Sequence, residues 1–198
     1  AAPVNVVVNN DNGVLNVSVA LNVTNPTETS EEAVKAALKA ALNSVGADTL
    51  NGRAISAAMI AIKSALADAN ASALGSVTVS FAISNKVDGA DNVAAVKTVA
   101  TVAGDTYEAN TETRFNPETQ VASTQGNVSS KAAAAAQPVI MTVDANGKAT
   151  GSVGNATVAD TTVDTAAKEA LLTPTSVQEA ETSTTVVPDN TIVASGTN

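Results

Sequence analysis

In the first 23 residues, AAPVNVVVNNDNGVLNVSVALNV, apolar and polar side chains alternate on both sides of the cluster NNDNG. A period of two is the mark of a strand with one buried and one wet face. Val4, Val6 and Val8 share a face before the cluster, and Leu15, Val17, Val19, Leu21 and Val23 share one after it. Asn12-Gly13 tolerates the positive φ that a tight hairpin connection requires. The chain therefore opens on two antiparallel strands.

Asn25-Pro26 interrupts this pattern, and the period lengthens. TSEEAVKAALKAALNSVG, residues 29–46, predicts a helix: Thr29 and Glu32 form a capping box, Glu31 and Glu32 suit the positive end of the helix dipole, and Gly46 is a natural stop. Val34, Leu38, Ala41, Leu42 and Val45 make its apolar stripe. A second helix is expected over about 53–69, entered at Asn51-Gly52, with Ile55, Met59, Ile62 and Leu66 as its stripe. Both stripes are narrow, so each helix should lie on a sheet and leave its other face wet.

Strand pattern returns at VTVSFAIS, residues 77–84, followed by NKVDGADN as a loop. Residues 93–103 fit either period, and their valine and threonine content favours a strand. Residues 106–115, TYEANTETRF, are polar and alternating, which suits an exposed strand ended by Asn116-Pro117. The alanine run of 129–138 fits a helix or a strand equally. A hairpin is expected around Asn146-Gly147, with Gly151 and Gly154 as bulge candidates, then a short third helix over 165–172. No internal repeat is visible. The expected class is α+β, mainly antiparallel β in a sandwich or barrel-like form with an inserted αα-hairpin, as a single domain over 1–173. Residues 174–198 form a tail or an interaction strand.

The core has to be built from small side chains. The chain has 198 residues and only three aromatic ones, Phe81, Tyr107 and Phe115, so alanine and valine supply most of the apolar surface. Small side chains bury less area each, at about 25 cal/mol per Å². Backbone pairing, close packing or area shared with other molecules must make up the difference.

Cysteine, histidine and tryptophan are absent. That removes Ser-His-Asp and Cys-His catalysis, thiol redox chemistry and the usual zinc and copper sites. Neither a Ser-x-x-Lys nucleophile nor a phosphate loop occurs, and GSVGNA at 151–156 reads as a bulged hairpin. Glu108 and Glu112 could in principle serve a glycosidase, but three rings are too few to hold a sugar, and four residues apart in a strand the two acids only share a wet face. An enzyme is not expected. A net charge of -9 argues against nucleic acid, and the ten basic residues are scattered. No apolar run approaches the roughly 18 residues of a membrane helix.

Calcium is the one cofactor the residues suggest. Asp88, Asp91 and Asn92 in VDGADN, and Asp144 with Asn146 in VDANG, offer hard oxygen ligands, although neither stretch completes the D-x-[DN]-x-[DN]-G pattern and Asx-rich turns explain them as well. Asn16, Asn22, Asn70, Asn127 and Asn155 head Asn-x-Ser/Thr acceptor sites, about as many as chance provides.

The apolar ends are the remaining feature. Val4, Val6, Val7 and Val8 form one candidate assembly strand, and Val186, Val187, Ile192 and Val193 the alternative. Residues 1–10 carry no charged side chain, whereas soluble sheets usually guard their edges with charge. Both segments could pair inside their own sheet, or one could fill the edge of a neighbouring copy. The start at Ala1-Ala2-Pro3 fits cleavage after a signal peptide, and the composition is cheap to export in bulk. The expectation is a secreted, extracellular or cell-surface subunit that polymerises with copies of itself by exchanging a terminal strand. The alternatives are a monomeric adhesin or calcium-dependent binding module, or a virion protein.

Overall fold

A computed structural model describes residues 4–23, 30–46, 49–66, 75–102, 104–130, 136–143, 149–158 and 182–186. In chain order the elements are β1 (Val4–Asp11), β2 (Val14–Val23), α1 (Ser30–Val45), α2 (Leu50–Leu66), β3 (Gly75–Asp88), β4 (Asp91–Val102), β5 (Asp105–Asn116), β6 (Val121–Ser130), β7 (Gln137–Val143), β8 (Ala149–Val153), β9 (Ala156–Val158) and β10 (Thr182–Val186). The ten strands make one sheet in the order β10-β1-β2-β3-β4-β5-β6-β7-β8-β9. Every neighbouring pair is antiparallel except β10 with β1, which is parallel.

The opening hairpin forms as its residues dictate. Asn12 and Gly13 both take positive φ, 53° and 83°, and β1 pairs with β2 from Val4↔Leu21 to Asp11↔Val14. The predicted helical pair is also present. α1 packs over β1 to β3, and α2 over β4 to β6. The α+β class with a mainly antiparallel sheet holds. Among the described residues, however, the sheet is open: the second layer is the helical pair, where a sandwich or barrel was expected to supply strands.

Three local expectations change. First, α2 begins earlier than Arg53. Thr49 caps it, with its Oγ1 accepting from Gly52 N at 3.0 Å and its carbonyl from Arg53 N at 3.0 Å, so Asn51 and Gly52 lie in the first turn. Thr29, the predicted cap of α1, lies outside the described residues. Second, the helices are buried over most of their surface. Beside the expected stripes, Ala33, Ala36, Ala37 and Ala40 of α1 and Ala54, Ala57, Ala58, Ile60 and Ala61 of α2 are buried, and over Glu32–Val45 the wet side of α1 shrinks to Glu32, Lys35, Lys39, Asn43 and Ser44. Alanine carries too little area to read as a stripe, yet its small size lets a helix be enclosed on several sides. Third, NKVDGADN is not a loop: β3 and β4 run in register to Asp88↔Asp91, joined by Gly89-Ala90 with Gly89 at φ 64°.

Residues 106–115 also differ from the expectation of an exposed strand. β5 turns Tyr107, Ala109, Thr111, Thr113 and Phe115 into the core and only its other face outward. The core is therefore two-sided in character. Beneath α1 it is aliphatic: Val4, Val6, Val8, Leu15, Val17, Val19, Leu21 and Val23. Beneath α2 it includes four buried threonines, Thr98, Thr111, Thr113 and Thr124. The Thr113 and Thr124 hydroxyls bond each other at 2.8 Å, while those of Thr98 and Thr111 have no protein partner. Asn85 Nδ2 donates to buried Asn51 Oδ1 at 2.8 Å, and Arg53 stacks over the Phe115 ring at 4.7 Å, together fastening α2 to β3 and β5. The expected third helix and the Asn146-Gly147 turn fall outside the described residues. Gly151 takes φ 138° and Gly154, in the β8–β9 turn, φ 59°.

Candidate functional site

Val4–Val8 and, of the alternative assembly strand, Val186 lie side by side in this one sheet. Val4, Val6 and Val8 are 0 %, 0 % and 4 % exposed, facing the helices, while Val7 points to the open face at 43 %. On their outer side runs β10, in the register Val4↔Thr182 to Val8↔Val186. Val186 is thus the partner of Val8. Val187, Ile192 and Val193 lie outside the described residues. β1 continues three residues beyond this pairing, through Asn9, Asn10 and Asp11.

The two edges of the sheet are unlike. At one edge, β9 has three residues, Ala156–Val158, a short strand of the kind that discourages further pairing. At the other, β10 is a five-residue strand, TSTTV, without charge. Its one neighbour in the sheet is β1.

The calcium candidates among the described residues, Asp88, Asp91 and Asn92, are not gathered into one cluster. Asp88 and Asp91 flank the β3–β4 turn, and both face Arg114, at 2.9 Å from Nη2 and 3.8 Å from Nη1; Glu112 Oε1 lies 3.4 Å from Nε. The Asp88 hydrogen bond, followed by the charges of Asp88, Glu112 and Asp91, holds the Arg114 guanidinium above its ordinary pKa against the opposing pull of desolvation. A cation would have to displace that side chain. Asn92 belongs to the opposite face, paired with Phe115. Asp144 and Asn146 lie outside the described residues, and no group of three His, Cys, Asp or Glu among those described is arranged to hold a metal ion.

Glu108 and Glu112 share the wet face as expected. Glu108 accepts from Asn110 Nδ2 at 3.2 Å and lies 4.0 Å from Lys97 Nζ, so both acids are engaged by neighbours of their own sheet. Of the glycan acceptors, Asn22, Asn127 and Asn155 are exposed, and Asn16 is half-buried with its Nδ2 donating to Val14 O at 3.3 Å. Asn70 falls outside the described residues. No helix among the described residues is long and apolar enough to cross a membrane.

Comparison of the chain with protein-family models, curated proteins and solved structures found no match.

Proposed function

We propose that this chain is a secreted structural subunit of an extracellular surface filament, a pilus or matrix fibre, whose copies join by β-strand addition at a sheet edge. The observation that carries the reading is the β1 edge: a valine strand without charge in residues 1–10, completed by five parallel pairings to a segment from the far end of the chain. A strand that, among the described residues, is held at an edge by one neighbour can be supplied by the same copy or by another with the same contacts. The composition agrees with a bulk exported product, rich in small residues and free of cysteine, histidine and tryptophan. The two-residue connection at Gly89-Ala90, with its acids engaged by Arg114, leaves little of the loop that a ligand-binding reading would need.

Light scattering and negative-stain microscopy of the purified chain test this directly. Growth from 19.5 kDa to long particles of uniform width is the expected result. A species that stays at 19.5 kDa across protein concentration, pH and salt refutes it.

A further inference from the structure

Which strand is exchanged, and in which direction, follows from where the sheet begins and ends. The N-terminal strand is a poor donor. β1 is tied to β2 by a two-residue turn and paired with it along all eight residues. Its Val4, Val6 and Val8 are core side chains, so withdrawing β1 would first have to strip three buried valines from the core and break its full pairing with β2. β1 is fit to be an acceptor.

The C-terminal strand has the opposite character. Among the described residues β10 meets the sheet through β1 alone, and residues 159–181 separate it from β9. β9 and β10 stand at opposite edges of the sheet, with β1 to β8 between them. Nine inter-strand spacings of about 4.8 Å put the two edges roughly 43 Å apart. The 24 residue steps from Val158 to Thr182 reach about 80 Å at full extension, so the connection is long enough for β10 to meet its own β1 or that of a second copy laid edge to edge.

Resting on the assembly reading, we propose that Thr182–Val186 is the donated strand, that it fills the outer edge of β1 in the next copy, and that growth is head-to-tail and open. The contacts made are the same in either arrangement, so the connection and the protein concentration decide between them. Stepping by one sheet width repeats without closing, which produces a fibre in place of a ring. The subunit at one end keeps an empty β1 slot, and the one at the other end keeps a free C-terminal strand.

The chain contains no cysteine, which permits a clean test. Val7, on the open face, is the register partner of Thr185. The variants Val7→Cys and Thr185→Cys are made singly and together, oxidised under conditions where the parent grows, and run without reductant. The inference expects covalent heterodimers from the mixed single variants and a ladder from the double variant. Covalently closed monomers from the double variant, in a preparation that still scatters as a polymer, overturn strand donation and leave the assembly reading standing. Closed monomers that also scatter as monomers overturn both. A double variant that does not cross-link at all overturns the β1–β10 register on which the inference is built.

Discussion

Thr98 and Thr113 occupy the same face of the sheet under α2, are both fully buried, and should respond oppositely to the same substitution. Thr98→Val exchanges a hydroxyl without a protein partner for a methyl group of the same shape and similar strand preference. An unsatisfied buried hydroxyl costs about 1–3 kcal/mol, which the substitution recovers. For a chain of this size that corresponds to a rise in melting temperature of roughly 2–12 °C. Thr113→Val removes one member of the 2.8 Å Thr113–Thr124 hydroxyl pair and orphans the other, for a loss of about 1–3 kcal/mol. Replacing both Thr113 and Thr124 by valine should return stability close to that of the parent. Thr111→Val should behave like Thr98→Val, but the two will not add, because Thr98 pairs with Ala109, two residues from Thr111 on one face. Urea unfolding curves give the midpoint and slope needed. A Thr98→Val variant that loses as much stability as Thr113→Val would refute the reasoning, since its hydroxyl would then be bonded in solution.

Three further outcomes follow from local geometry. Tyr107, the sole tyrosine, has its pKa raised above 10.0 by burial and, secondarily, by the charge of Asp105. Its folded state holds the phenol proton more tightly, so this contribution to stability is complete below pH 10.0 and is lost as pH rises through the folded value; tyrosinate absorbance should develop later in the native than in the urea-unfolded chain. Gly151→Ala should lower the urea midpoint by the equivalent of more than about 1 kcal/mol, because at φ 138° an added Cβ would overlap the Ile140 carbonyl oxygen. Arg114→Gln should lower the melting temperature by leaving Asp88, Asp91 and Glu112 unbalanced, with a deficit that shrinks as salt is added; chelator should leave the parent's melting temperature unchanged. A deficit indifferent to salt, or a chelator effect, would contradict the charge balance described.

Residues 4–23 were legible because both determinants are local: a period of two, and Asn12-Gly13 free to take positive φ. The helical stripes were legible for the same reason, through Val34, Leu38 and Leu42 in α1 and Ile55, Met59 and Ile62 in α2. What failed depended on partners distant in sequence. Thr111 and Thr113 read as wet because hydroxyls usually are, yet Thr113 finds Thr124 across the strand pair. Lys86, Asp88 and Asp91 looked like loop residues, although two strands simply continue to their ends with those charges on or near the open face. The parallel seating of Thr182–Val186 on Val4–Val8 joins the two ends of the chain, and no local pattern in either segment could fix that register. The Arg114 cluster had a faint signal, an arginine two residues from Glu112 and next to Phe115 in an otherwise acidic strand, but its other two partners, Asp88 and Asp91, are gathered only by strand pairing.

The seating of the last strand against the first also sets a clock. β10 leaves the ribosome after β1, with residues 12–181 made between them, an interval of roughly 10–35 s at about 5–20 residues per second. Throughout that time the strand that pairs with the outer backbone of Val4–Val8 has not yet been made. Every newborn copy thus passes through a stage with an uncovered, uncharged stretch of β-edge, and a cell making this protein in quantity must keep such edges apart until a β10 strand emerges to cover them.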